Sequence, residues 1–288
     1  MFVRQKSLLL FLLPGLGGVL IFSVIPFLVG FALSLTDGTQ QLSFIGMGNY
    51  IAIFKNSMYL LGLKNTAVLL LMCTPSVCIC GFVLALLLNR MQGKAGLLRT
   101  TLLLPYIIPS AAVMLVWLYL FGYRGPINKA LTFCGLGPLD FQSGGSLRVS
   151  VFLLYFWRNL GFAAVIFLSA LNAVPEELYE YARLEGAGLI RQCISVAIPS
   201  VLPTCGLVVL IEIISTFGIF REAYFIGGAY PDPSVYTLQH FMNNMYSKLN
   251  YPRVTAAAYS FAAMIFGVLL LCLGIIRLTK SGREEGSA

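Results

Sequence analysis

Two ionisable residues interrupt long apolar runs, Arg158 within "YFWRN" and Glu212 within "LVVLIEIISTF". A charge in such a setting is costly and usually faces a cavity or a partner. Around the two stand Trp157, Asn159, Ser215, Thr216 and Phe217, a set of flat rings, one amide and hydroxyls suited to lining a path for a polar solute. Each has a plainer reading. Arg158 can snorkel to an interface, and Glu212 can pair with a neighbouring helix for structure alone. Covalent catalysis has no comparable set. His240 is the lone histidine, and the seven cysteines show neither paired zinc-ligand spacing nor a CxxC pair. No metal site, cofactor or catalytic residue is expected.

The elements that must hold these residues are membrane helices. The 288 residues are 58% hydrophobic and 10% charged, well under the quarter of charged residues usual in a soluble domain. Charge-poor runs place spans at 8–35, 65–89, 101–122, 149–171, 200–221 and 254–276, each near the roughly 20 residues a helix needs to cross. Backbone groups in lipid must pair internally, which favours helices over open strands. The first run follows Arg4 and Lys6 as a signal peptide does, but it is longer than a signal core and ends at no small-residue cleavage site. It reads as a retained span. Pro105 and Pro109 are expected to bend the third span.

Six spans put both termini on one side. Arg90, Lys94 and Arg99 crowd one short loop, and the positive-inside rule makes that side, with both termini, cytoplasmic. The net charge of +8 then reflects orientation in a cell membrane, and no nucleic-acid-reading motif accompanies it. The expected fold is an all-α membrane protein: one domain over 1–288, a polytopic bundle of six transmembrane helices, with a cytoplasmic helix-turn-helix elbow at 174–199 between helices four and five.

That elbow reads "NAVPEELYEYARLEGAGLIRQCISVAIPSVLP". Pro175 suits a first helical turn, and Glu176 and Glu177 suit the positive end of the helix dipole. Gly186 ends the helix, and a second short helix from about Leu189 is expected to meet Pro199 and then rise into the fifth span. An amphipathic helix lying in the headgroup layer would favour Lys and Arg on its polar face. Here Glu176, Glu177, Glu180 and Glu185 mix with Arg183 and Arg191, which suits a protein partner better than membrane lipid.

Glu180, Ala182 and Gly186, followed after nine residues by "VAIP" to Pro199, resemble the EAA motif of membrane permeases of binding-protein-dependent ABC importers. Tyr181 stands for the second alanine, Val196 for isoleucine and Ile198 for leucine, while Glu185-Gly186-Ala187 resembles the motif's D-G-A. "GMGNYIAIFKN", "LKNTAVLL", "GPINKAL", "FLSALNAVPEELYEYA" and "TFGIFREAYFIGGAYPDPSVYTLQHFMNN" are similar to segments of the branch that imports maltose, glycerol 3-phosphate and multiple sugars. The resemblance implies that Glu180, Tyr181, Ala182, Glu185, Gly186, Ala187 and Pro199 form a coupling helix docking on a separate ATPase dimer. It also implies a second permease subunit, usually a different chain, and an extracytoplasmic solute-binding protein that delivers a carbohydrate. The sequence lacks the G-x-x-x-x-G-K-[ST] phosphate loop, so ATP hydrolysis is expected in the partner. An ion-coupled secondary transporter is the alternative. Such proteins often show internal repeats around a midplane ion site, and no repeat is evident here.

Overall fold

The computed structural model describes residues 12–39, 41–91 and 96–285, with side chains for all of these except Leu269 and 271–285. In chain order the helices are α1 (Leu12–Ser34), α2 (Gly48–Phe54), α3 (Ser57–Arg90), α4 (Gly96–Ile107), α5 (Ser110–Leu120), α6 (Pro126–Phe133), α7 (Gly144–Asn172), α8 (Glu176–Leu184), α9 (Leu189–Gln192), α10 (Ile198–Thr216), α11 (Ile219–Gly227), α12 (Leu238–Ser247) and α13 (Tyr251–Glu285). A single isolated bridge, Thr36 with Phe44, is the nearest approach to a strand among the described residues. The chain divides into two compact units, one from its two ends (to Leu60 and from Phe241) and one from Leu61–His240.

Among the described residues, four helical stretches are long and apolar enough to cross a membrane: Leu12–Ser34, Ser57–Arg90, Gly144–Asn172 and Leu189–Gly227. Large apolar side chains stand open along them, Phe22 at 81% and Leu71 at 70% exposure, as expected of surfaces whose solvent is lipid. This is a multi-pass membrane protein. The expected third span is not one rod: α4 and α5 meet at 92°. Proline disfavours helical geometry in the residue before it, and Pro109 (ψ 132°) breaks the chain there, whereas Pro105 stays inside α4. The sixth expected span, 254–276, falls on α13, and its later part lies outside the residues with described side chains.

In the unit of the two ends, Tyr259 of α13 meets Phe27 and Phe31 of α1 edge-on at 5.0 and 5.4 Å, and its hydroxyl donates to the Phe27 carbonyl. The Asn49 amide donates to the carbonyls of Ser34 (2.9 Å) and Thr36 (2.7 Å), capping the end of α1.

The larger unit is built around α7, which buries Leu147, Val151, Leu154, Phe167, Leu168 and Leu171. Its closest approach is to α4: a Cβ on Gly161 would stand 1.8 Å from the Leu102 carbonyl oxygen, so only glycine allows this contact. At the N-terminal end of α7, Arg148 donates through Nε to the Ser234 carbonyl (2.9 Å) and through Nη2 to Asn65 Oδ1 (3.0 Å). Asn65 in turn donates to the carbonyls of Pro233 (2.6 Å) and Tyr236 (2.9 Å), and Leu238 N–H donates to Thr66 Oγ1 at 3.0 Å. Asn128 of α6 clasps its own loop, donating to the Leu139 carbonyl and accepting from the Leu139 N–H, both at 2.8 Å.

Candidate functional site

Two helix breaks border the same side of α7. At Ile108–Pro109 the chain leaves α4, and at Phe217–Gly218 it leaves α10. Backbone outside regular helix is tolerated at membrane depth where it is buried in protein or lines a cavity. A cavity of about 480 Å³ lies here, lined by Tyr106, Tyr155, Arg158, Asn159, Ile214, Ser215, Gly218, Arg221 and Glu222.

Arg158 Nη1 bonds Glu222 Oε1 at 2.9 Å, with the two side chains 15% and 9% exposed. Arg158 Nη2 reaches the Ile108 carbonyl, freed at the break, at 3.5 Å. The pair is half satisfied. Arg158 Nε and Glu222 Oε2 are both buried without a hydrogen-bond partner, and most buried polar atoms do have one. The pairing removes the plain snorkelling reading of Arg158.

The other candidates divide by face. Asn159 lines the cavity while its amide donates to the Tyr155 carbonyl at 2.9 Å, and Ser215 lines it from the end of α10. Glu212 does not reach it. That side chain is fully buried behind Tyr155, whose hydroxyl donates to Glu212 Oε2 at 2.6 Å. Thr216 is buried as well and bonds the Glu212 carbonyl at 2.7 Å. Trp157 lies about 100° around the helix from Arg158 and stacks near Trp117, ring centres 6.2 Å apart. Phe217 sits at the break, off the lining. Sequence reasoning missed Tyr106, Tyr155, Arg221 and Glu222. The available signal for Glu222 was an acid ten residues after Glu212 in the same apolar stretch, although Arg221 beside it reads as a loop flank.

The elbow is a second candidate site. Pro175 (ψ 134°) precedes α8. At the other end Ala187 N–H donates to the Ala182 carbonyl and Gly186 N–H to the Arg183 carbonyl, each at 2.9 Å, the paired bonds of a Schellman ending. Gly186 has φ +77°, where a side chain is strained. Ala187 is buried, and its carbonyl accepts from Gln192 Nε2 at 2.7 Å. Glu180 and Glu185 are exposed, and so is an apolar rim: Tyr181 at 67%, Leu184 at 84% and Ile190 at 78%. The second helix meets Pro199 and continues into the fifth expected span. A π-helical stretch, Cys193–Ala197, joins α9 to α10, with Ile198 N–H bonded to the Cys193 carbonyl, and the helix runs on from Leu189 to Thr216, where the turn at Phe217–Gly218 separates it from α11. Proline lacks an N–H and crowds the carbonyl four residues back, and the wider turn accommodates both.

Residues 77–280 match the family described as binding-protein-dependent transport system inner membrane component. The chain is 30% identical over 250 residues to the sulfoquinovosyl glycerol transport system permease protein SmoG of Agrobacterium fabrum, covering 86% of this chain and 81% of that one. It is 29% identical over 306 residues to the diacetylchitobiose uptake system permease protein NgcF of Streptomyces coelicolor, covering 99% and 86%. Its fold matches a chain of a bacterial ABC transporter involved in alginate import with TM-score 0.82 and 21% identity, over 95% of this chain and 96% of that one. The chain belongs to the family of inner membrane components of binding-protein-dependent transport systems.

Proposed function

We propose that this chain is one half of the membrane pathway of an ATP-driven carbohydrate importer, and that the cavity at Arg158 and Glu222 contacts the sugar in transit. The observation that carries the reading is the half-satisfied pair: one buried donor, Arg158 Nε, and one buried acceptor, Glu222 Oε2, at a cavity wall. Neighbouring sugar hydroxyls supply the complement, one accepting and one donating, beside Tyr106, which lines the wall while stacked on Phe162. The relatives named for sulfoquinovosyl glycerol and diacetylchitobiose support a polyhydroxylated solute.

In this reading the chain is a single translocation domain of six spans, with α13 as the last and both termini cytoplasmic. A solute-binding protein delivers the sugar from outside, and a second permease subunit completes the path. Glu180, Tyr181, Ala182, Glu185, Gly186, Ala187 and Pro199 shape the coupling elbow on an ATPase dimer that hydrolyses ATP. The exposed Tyr181, Leu184 and Ile190 give the elbow an apolar surface for that contact. Closure of the ATPase pair would move the elbow, and the helix from Leu189 to Thr216 would carry the movement to Ser215 and, past the turn at Phe217–Gly218, to Glu222. Glu212 and Thr216 act as positioning residues, holding Tyr155 at the cavity.

The test is sugar-stimulated ATP hydrolysis and uptake by the reconstituted complex, with Glu222→Gln and Arg158→Lys beside wild type. Glu222→Gln turns one carboxylate oxygen into an amide donor, and Arg158→Lys keeps the charge but removes Nε and the guanidinium fork. Uptake should fall about tenfold or more while the ATPase still co-purifies. Wild-type uptake in both variants would sink the assignment. Uptake driven by an ion gradient without ATP would replace it with secondary transport.

A further inference from the structure

A second cavity, of about 850 Å³, lies where α3 ends, α4 begins and the elbow packs. Its lining includes Arg90, Arg99 and Arg183 against one acid, Glu176, with Asn89 and Gln192 as further polar groups. Arg183 and Glu176 are loosely paired at 3.8 Å, both largely exposed. Arg99 is not so engaged, and its Nε is buried without a hydrogen-bond partner. Three guanidiniums facing one carboxylate leave two positive charges around a space far larger than a bare ion needs. Guanidinium forks match phosphate oxygens two at a time.

Much of the remaining wall is apolar, with Leu86, Leu171, Val174, Leu189 and Ala197, beside Asn172 and Tyr179. On the helices beside it, Leu87 and Leu97 stand open at 56% and 85% exposure, as lipid-facing residues do. Guanidiniums beside an apolar wall and lipid-facing leucines fit an amphiphile lying at the membrane surface, and basic pockets between spans are where anionic headgroups bind. We propose that this cavity holds a phosphate-bearing anion, with Arg99 as its central ligand and an anionic phospholipid headgroup or free phosphate as its source. Because α8 and α9 form part of the wall, the bound anion braces the elbow from within. The site stands whether or not the sugar cavity is assigned correctly.

The experiment purifies the chain with its accompanying subunits into nanodiscs of phosphatidylcholine alone or mixed with phosphatidylglycerol. Native mass spectrometry counts retained phosphatidylglycerol, and thermal unfolding with added inorganic phosphate is followed in the phosphatidylcholine discs. Wild type should retain phosphatidylglycerol, and both Arg99→Gln and the rim variant Arg90→Gln should lower retention, Arg99→Gln by about tenfold. Arg253→Gln, outside the cavity, should not. Retention without a phosphate shift identifies lipid as the source. A phosphate-induced stabilisation that Arg99→Gln or Arg90→Gln abolishes, without lipid retention, identifies the free ion. Equal retention and equal phosphate response in wild type and Arg90→Gln would overturn the proposal, even if Arg99→Gln failed to fold. Loss of the ATPase subunit with unchanged lipid and phosphate binding would also overturn it, since the cavity would then hold a partner's acidic side chain.

Discussion

The two ends of α7 are held in opposite ways. At its start, Arg148, Asn65 and Asp232 tie the helix to the loop before α12 through bonds that use most of their polar atoms: Arg148 to Ser234 and Asn65, Asn65 to Pro233 and Tyr236, and Gly144 N–H to Asp232 Oδ2 at 3.0 Å. At its far end the chain passes through Pro175 into an elbow whose apolar residues face outward and whose charges are mostly unpaired within the chain. One end is finished by its own side chains. The other leaves surface free, as a chain does where a partner supplies the missing contacts. Substitutions at the first end should therefore appear as lost stability, and at the second as lost association.

The largest loss of stability is expected from Arg148→Ala. It removes two hydrogen bonds from a charged donor and leaves Asn65 Oδ1 and the Ser234 carbonyl without that partner, a cost of about 2–3 kcal/mol. Thermal unfolding of the purified chain measures this, and ATPase co-purification should be unaffected. An unchanged unfolding midpoint would remove the contrast between the two ends.

At the elbow, Gly186→Val forces a branched residue into φ +77°. No atom lies within 4 Å of a Cβ there, so the penalty is conformational only, about 1–2 kcal/mol. It falls on the turn that presents Ala187 and α9, and ATPase docking should fail while the helices persist by circular dichroism. Gly186→Asn, more tolerant of left-handed geometry, should recover part of the docking. Failure of both alike would point away from turn geometry. Leu184→Ser is the milder probe. With 84% of the residue already exposed, stability should stay within about 0.5 kcal/mol, and affinity for the ATPase should fall by about tenfold if Leu184 is a contact centre.

The elbow was legible in the sequence because its parts are local: Pro175, the acidic first turn and Gly186 act within a few residues of one another. Its junction with α10 was less so. Pro199 marks where the elbow enters the fifth span, but no spacing states the π-helical stretch that carries the helix through it. The cavity at Arg158 was half legible for a different reason. Arg158 declares itself as a charge in an apolar run, but its partner depends on how α7 and α11 pack, and no spacing in the sequence states that. Glu212 and Trp157 show the same limit in reverse. Both have suitable chemistry, and packing turns one behind Tyr155 and the other toward Trp117. Asn65, Asn128 and Asn49 lie in the family-like segments, yet their common work of capping loop and helix carbonyls is visible only in three dimensions.

The smallest expected effect tests whether charge matters at the finished end. Asp232 accepts from Gly144 N–H and, through Oδ1, from Ser234 N–H at 2.8 Å. These bonds, the Gly144 one foremost, hold its carboxyl below the usual carboxylate range. A lowered folded-state value means the contribution is complete above the unfolded value, about 3.9, and is lost as pH falls through the folded one. The site is open to solvent, so the contribution should stay below about 1 kcal/mol. Asp232→Asn keeps one oxygen acceptor and removes the charge, so stability at neutral pH should fall slightly and the acid-side slope should flatten below pH about 4. Unfolding midpoints across that range, in wild type and variant, measure the difference. If the two curves stay parallel, the ionised form of Asp232 is not what holds the loop, and the finished end rests on Arg148 and Asn65.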